Sequence, residues 1–427
     1  MAWYDKNRLR MGTWRKPLKL AARAHTPEAS LFKSSAAKHQ APWYRAAQQS
    51  ARTAQRIARA LSARRIAIPL LLGLGAAVWL FTRELNQPVI DPVTGTAQTT
   101  AELLSGYTWS TRATWALLGV LSLVLLRDAA YILRLRLLTL GQLRWRQCLD
   151  SILLWEFASA LTPSVVGGSA VAILILNREG MPVGRSAAVV FVTALLDELF
   201  YILAVIGVGL GVWAAGGAFF PSSSTLTHWG SNSLPVLFGV GFGVIVLLTT
   251  LILMGVLVAP SGVSNAVQRL FRARILKRWA GAAAQWSADL VVASAEFRNS
   301  GWRFWAKAFG ATSLAWLARF LTLNMVLLIF YSAVPHAAVL GRQLVMWVIL
   351  LISPTPGSTG VAEILLPLFL GDLMELGYLA LVAVIWRGVT YFPYLFAGAL
   401  VLPGWLARTA KGTGRRRRSR GKKEVAA

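Results

Sequence analysis

The chain has 427 residues, 56% of them hydrophobic and only 14% charged, yet its formal net charge is +27. That apolar share fits an all-α, multi-pass integral membrane protein and excludes an ordinary soluble globular enzyme. One cysteine, Cys148, allows no internal disulfide, and His25, His39, His228 and His336 lie too far apart for a metal-ligand spacing. No metal site, cofactor or catalytic constellation is read.

Residues 1–65 form a basic arm. Within it Ala51, Ala54, Ile57, Ala58 and Leu61 recur at helical spacing with Arg52, Arg56 and Arg59 between them. This is either a helix lying on the inner leaflet or a disordered basic segment. So many polar residues ahead of the first apolar run argue against a signal peptide. A transmembrane domain is then expected over 66–405 and a basic tail over 406–427, with Arg415, Arg416, Arg417 and Arg418 in a row.

A helix crosses about 30 Å of hydrocarbon with roughly 20 apolar residues. Six runs approach or exceed that length: about 66–82, 111–133, 187–213, 236–259, 308–331 and 378–403. Lys and Arg crowd both ends and the 260–307 connection, while 214–235 has none and 371–377 carries only Asp372 and Glu375. Positive charge gathers on the cytoplasmic side, so both termini and the 260–307 loop are expected there, in the cell (inner or plasma) membrane. The same basic stretches favour anionic lipid headgroups rather than nucleic acid.

Two further apolar segments are interrupted. Leu161-Thr162-Pro163-Ser164-Val165-Val166-Gly167-Gly168 breaks residues 149–176, and Ser353-Pro354-Thr355-Pro356-Gly357-Ser358-Thr359-Gly360 breaks 344–370. Proline removes a backbone donor and glycine permits non-helical dihedrals, so neither stretch continues a straight helix. In lipid, freed backbone groups persist only where protein or a water-filled cavity satisfies them. Arg134, Arg136, Arg144 and Arg146 precede the first segment and Arg178 and Arg185 follow it, so both its flanks read as cytoplasmic. The simplest arrangement is a re-entrant hairpin; a single kinked span is the alternative. The second segment begins and ends on the outer side.

One hairpin dips from each side, as in an inverted-topology repeat covering about 111–213 and 308–403. Other markers keep the same step. Pro163 and Pro356 are 193 residues apart, Arg127 and Arg319 are 192, and Asp197 and Arg387 are 190.

The runs Leu161 to Leu199 and Ile352 to Gly388 resemble the lysylphosphatidylglycerol synthase transmembrane region family of flippase-like proteins. The second match, Pro354-Thr355-Pro356-Gly357 with Gly360-Val361-Ala362-Glu363, is the more specific, and Arg387 stands where the family often has arginine. Ser169 replaces a usual glutamate, Ser358 a common glycine and Ala362 a common arginine. The similarity covers roughly residues 65–405. It implies a membrane protein that handles or flips anionic or aminoacylated phospholipids, or polyprenyl-phosphate-linked lipids. The family's full synthases carry a soluble aminoacyl-transfer domain. Nothing after Arg408 is of that size, so synthase activity is not expected.

The candidate substrate site gathers Arg319, Arg387, Arg127, Asp197 and Glu363 with the hairpin tips Thr162, Pro163, Gly167, Gly168, Thr355, Pro356, Gly357 and Gly360. A half-helix starting inside the membrane, near Gly168 and near Val361, points unpaired N–H groups at an anion such as a phosphate. A mid-span charge costs about 2.5–3.5 kcal/mol on insertion scales, so Arg127, Arg319 and Arg387 must face a cavity or a counter-ion. Asp128, Asp197 and Glu198 are the candidate counter-ions. Arg127 with Asp128, or Arg387 with Asp197, could instead be a pair that only fixes helix register. Glu156 reads as a hydrogen-bonding partner for backbone freed by the first break. The pairs Gly207/Gly211 and Gly239/Gly243 read as close helix contacts.

The expected function is a lipid translocator whose partners are membrane lipids. The alternative is a non-transporting subunit that anchors or regulates a lipid- or glycan-modifying membrane enzyme.

Overall fold

The computed structural model describes residues 97–427 except 163, 215–218, 222–232, 272–279, 353–354, 359–360, 375–377 and 425–427, together with Thr82, Asn86 and residues 88–90. The basic arm, its 51–61 helix and nearly all of the 66–82 run lie outside the described residues. The chain is an all-α, multi-pass membrane protein whose described residues supply five helices long and apolar enough to span.

A two-stranded antiparallel ribbon, β1 (Pro88–Ile90) and β2 (Ala97–Thr99), leads into a short helix, α1 (Thr100–Ser105). Helix α2 (Thr111–Leu138) starts where the Ser110 hydroxyl accepts from the Ala113 N–H at 3.2 Å. Its 28 residues make it about 42 Å long at 1.5 Å per residue, more than a bilayer core. The expected span stopped at residue 133, but four further residues and Arg134 stay within the packed helix.

Next come α3 (Trp145–Leu161) and α4 (Ser164–Arg178). Thr162, which precedes Pro163, is extended at φ −100° and ψ 138°, as the steric demand of a following proline requires. The halves then fold back on each other. Gln147 at the start of α3 donates to Glu179 just past the end of α4, Nε2 to Oε2, at 2.6 Å. Near the break, a Cβ on Gly168 would lie 2.2 Å from Ser159 Oγ. Ends and middle therefore both touch, which makes this a hairpin and not a kinked span. One expectation is corrected: α4 begins at Ser164, so Gly167 and Gly168 lie inside the helix, and Gly168 serves close packing of the two halves.

Helices α5 (Val183–Ala214) and α6 (Ser233–Ile252) follow, the latter ending in a wider π turn, Leu253–Val258. Among the described residues the glycines at 207, 211, 239 and 243 do not mediate close contacts, because a Cβ on any of them would meet nothing within 4 Å. The basic 260–307 connection is folded as α7 (Pro260–Leu270) and α8 (Ala280–Arg298). Helix α8 packs on α5, and a Cβ at Gly184 would come within 2.3 Å of the Trp286 carbonyl oxygen.

The second half repeats the order: a long helix α9 (Trp302–Phe330), half-helix α10 (His336–Ile352), a 3₁₀ turn (Pro356–Ser358) and half-helix α11 (Val361–Leu370). The Ser358 hydroxyl donates to the Leu350 carbonyl at 2.9 Å, and Arg342 on α10 donates to the Phe369 carbonyl at 2.7 Å. This too is a hairpin. The last expected span, 378–403, is divided at Tyr391 into α12 (Leu379–Thr390) and α13 (Phe392–Glu424). Pro393, which lacks a backbone donor, stands at the division.

The two halves are inverted relative to each other. Equivalent helices α2 and α9 run antiparallel: a Cβ on Gly119 would sit 3.1 Å from the Met325 sulfur, and Arg134 reaches Thr312 at 3.4 Å. The base of the first hairpin (Leu143, Cys148, Met181) packs with Leu135 and Leu138 at the end of α2. The base of the second (Val339, Phe369, Met374) packs with Ala113 and Val120 at its start. The hairpins therefore enter from opposite ends. Each leans on the other half, α3 on α13 and α10 on α5, the reciprocal exchange that a two-fold relation produces.

Candidate functional site

Hairpins that enter from opposite ends bring their tips together in the middle. A cavity of about 300 Å³ lies between them, walled by α2, α3, α4, α5, α9, α10, the 355–358 turn and the junction of α12 with α13. Ser159, Thr162 and Ser169 come from the first hairpin and Thr355, Gly357 and Ser358 from the second. A polar chamber deep in a bundle of apolar helices is the setting in which irregular backbone is tolerated.

Gly357 takes φ +56°, in the left-handed region, and a Cβ there would lie 2.2 Å from the Tyr391 ring. Its carbonyl, freed by the break, accepts from Arg387 Nη2 at 2.8 Å. The same guanidinium stands 4.2 Å from the centre of the Tyr391 ring, and the Tyr391 hydroxyl donates to the Ala160 carbonyl of the other tip at 3.1 Å. Arg387 and Tyr391 thus tie both tips to the break between α12 and α13.

Asp197 does not pair with Arg387. It forms an ion pair with Arg134, and it accepts from the Trp316 indole at 2.6 Å. Arg134, counted above as a flanking cytoplasmic charge, is 5% exposed and lines the chamber. Arg127, 1% exposed, contacts Asp128 at 3.2 Å and lies 4.5 Å from the Tyr394 ring centre. Tyr394 in turn donates to both Asp128 oxygens at 2.8 and 2.9 Å. Arg127 is not among the lining residues.

Arg319 differs from these. It is half-buried in the chamber, with its guanidinium 5.3 Å from the Trp316 ring centre and 4.8 Å from that of Trp347. Among the described residues no carboxylate pairs with it and no acceptor bonds to it. Two aromatic faces stabilise a guanidinium without neutralising it. Glu156 and Glu198 also line the chamber; among the described residues the expected hydrogen bond from freed backbone to Glu156 is not formed.

Of the expected site, the structure brings together Arg319, Arg387, Asp197, Thr162, Thr355 and Gly357. Gly168 packs behind them against Ser159, and Gly167 lies within α4. Pro356 opens the 3₁₀ turn and Glu363 lies in the first turn of α11, their side chains undescribed; Pro163 and Gly360 fall outside the described residues. The sequence reading missed Arg134, Trp316, Trp347 and Tyr391. Only Arg134 had a signal: it stands seven residues after Arg127, two turns along the same face.

The hairpin bases hold two more charge clusters. Arg342, 2% exposed, grips Asp372 bidentately, with Nη2 to Oδ2 at 2.9 Å. At the other end Arg408 on α13 pairs with Asp150 and Glu179, and Glu179 also accepts from the Trp405 indole at 2.7 Å. A wider cleft of about 1090 Å³ opens there between the first hairpin's base, α7 and α8. Among the described residues no three metal-ligating side chains converge.

The fold is thus a multi-pass helical membrane domain of two inverted halves enclosing a charged chamber. The chain belongs to the lysylphosphatidylglycerol synthase TM region family, which it matches over residues 98–398. It is also 24% identical over 309 residues to a UPF0104 membrane protein of Archaeoglobus fulgidus, covering 69% of this chain and 89% of that protein. No solved structure matches. The family is a membrane domain of lipid-related proteins.

Proposed function

We propose that the protein is a lipid translocator that passes the headgroup of an anionic phospholipid through the chamber while its acyl chains stay in the bilayer. The observation that carries this reading is Arg319, a half-buried guanidinium in a mid-membrane cavity that no carboxylate pairs with among the described residues. A phosphate offers the planar, bidentate acceptor that such a group fits. Arg387 supports the reading differently: bound to the Gly357 carbonyl, it couples the state of the tip to the charge in the chamber. Reciprocal rocking of two inverted halves around a central site then changes which leaflet the chamber faces.

The proposed setting is the plasma membrane with both termini in the cytoplasm. Support comes from the charge distribution. Arg342, at the base of the second hairpin on the proposed outer side, is buried and neutralised by Asp372. The remaining basic excess lies toward the two ends and the 260–307 connection.

The test is leaflet exchange of labelled phosphatidylglycerol in liposomes containing the purified full chain. Exchange is expected, and Arg319→Gln should slow it about tenfold or more, the loss of a charge-assisted hydrogen bond worth roughly 1.5–3 kcal/mol. A folded wild-type protein that moves no labelled lipid overturns this reading and favours the membrane-subunit alternative.

A further inference from the structure

Two carboxylates line the chamber without a hydrogen bond or ion pair among the described residues, and the proposed function uses neither. Asp197 is spent on Arg134 and Trp316. Its neighbour Glu198, half-buried, has no hydrogen bond or ion pair among the described residues, and neither has Glu156 on the first hairpin. An ionised carboxylate at that depth must be paired, be solvated by the chamber, or take up a proton.

The charged and titratable groups that share the chamber with Glu198 are these. On its own helix they are Asp197 and the phenol of Tyr201; α2 presents Tyr131 and Arg134, α9 presents Arg319, α3 presents Glu156, α12 presents Arg387, which is bound to the Gly357 carbonyl, and the phenols of Tyr391 and Tyr394 stand at and just past its end. The linings from α4 and α10 are Ser169 and residues such as Gln343 and Trp347, none of them titratable. On α8, packed along the start of α5, Glu296 is held by Arg185 at 2.6 Å and Asp289 lies in the separate cleft.

We infer that the chamber carries a proton on Glu198 together with an anionic headgroup on Arg319. This rests on the translocator reading and adds a driving force to it. The physical reason is charge. With Asp197 neutralised by Arg134, an anion arriving at Arg319 meets the negative Glu198 in the same small cavity. Protonating Glu198 removes that repulsion, so anion binding draws in a proton. By linkage a bound proton strengthens anion binding to the same degree. The carboxylate takes up a proton from the aqueous side to which the chamber is open, and the resulting carboxylic acid releases it on the other side, where the lipid also leaves, restoring the carboxylate. Glu198 stands one residue from the Arg134–Asp197 link that joins α2 to α5, so its charge acts on a contact between helices that border the chamber.

The test uses the full chain in liposomes with labelled phosphatidylglycerol, membrane voltage clamped by potassium and valinomycin, and a pH step of about one unit. One proton per lipid predicts about a tenfold excess of label in the leaflet facing the alkaline side, since a tenfold ratio of protons balances a tenfold ratio of lipid. Glu198→Gln should exchange label yet distribute it evenly. An even distribution in the wild-type protein despite exchange overturns proton coupling and leaves the translocator reading standing. A wild-type protein that exchanges no lipid overturns both. A gradient response kept in Glu198→Gln overturns the assignment to this carboxyl. A readout that needs no variant is net proton uptake when phosphatidylglycerol is added to the wild-type protein in weakly buffered micelles. Uptake supports the inference, and none between about pH 5 and pH 8 overturns it.

Discussion

Two arginines facing one chamber should answer the same substitution in opposite ways. Arg134→Gln removes the cation from a pair in which the arginine side chain is 6% exposed and Asp197 23%. Asp197 then keeps only the Trp316 indole. Removing one partner of a buried pair costs about 3–5 kcal/mol, because the remaining charge stays desolvated. The chamber gives Asp197 some solvent, so the lower end, about 3 kcal/mol, is expected. Arg319→Gln removes a charge with no ion pair to break. It gives up two aromatic contacts of roughly 0.5–2 kcal/mol each but also the insertion cost of about 2.5–3.5 kcal/mol, so the two largely offset and any loss of stability should stay below about 1.5 kcal/mol. Cys148 provides the assay. It is fully buried between the end of α2 and the base of the first hairpin, so its reaction with a thiol-specific dye reports unfolding in detergent. Arg134→Gln should melt well below wild type, and Arg319→Gln close to wild type with impaired lipid exchange. If Arg319→Gln melts as low as Arg134→Gln, Arg319 is a packing element and the separation of roles fails.

Gly357→Ala places a Cβ in a left-handed residue and 2.2 Å from the Tyr391 ring. The dihedral alone costs about 1–2 kcal/mol, so a lowered Cys148 melting point and slower lipid exchange are expected; wild-type behaviour in both would refute the tip geometry. Arg408→Gln leaves Glu179, whose side chain is 2% exposed, bonded only to neutral donors. Because Arg408 is itself about a third exposed, a loss of about 1–3 kcal/mol is expected in the same melt. The inverted arrangement is checked by replacing Cys148 with serine and placing single cysteines at the exposed positions Arg146 and Ser332, beside the two hairpin bases. Impermeant thiol reagents should reach position 146 only from the cytoplasm and position 332 only from outside. Labelling of both from one side would refute it.

Much of this architecture is legible in one dimension. Thr162-Pro163 must leave the helix because a residue before proline avoids the α region, and apolar runs either side are too short to span alone. A hairpin follows, and markers about 193 residues apart signal its inverted counterpart. Arg319 is readable as a mid-span charge that needs a cavity. What no local pattern states is which charge meets which. Arg127 and Arg319 occupy matching places, yet one is packed against Asp128 and Tyr394 and the other stands in the chamber without a counter-ion. Arg134 reads as a flank until α2 proves long enough to carry it inside, where Asp197, 63 residues on, takes it. Gly207 and Gly239 look like contact points until the described helices place nothing beside them. The physical reason is the range of the forces. Helix period, proline sterics and membrane insertion act within a few residues and are written in the sequence. Ion pairing and close packing depend on how distant helices are placed in space, and that is decided only when the two halves fold around each other.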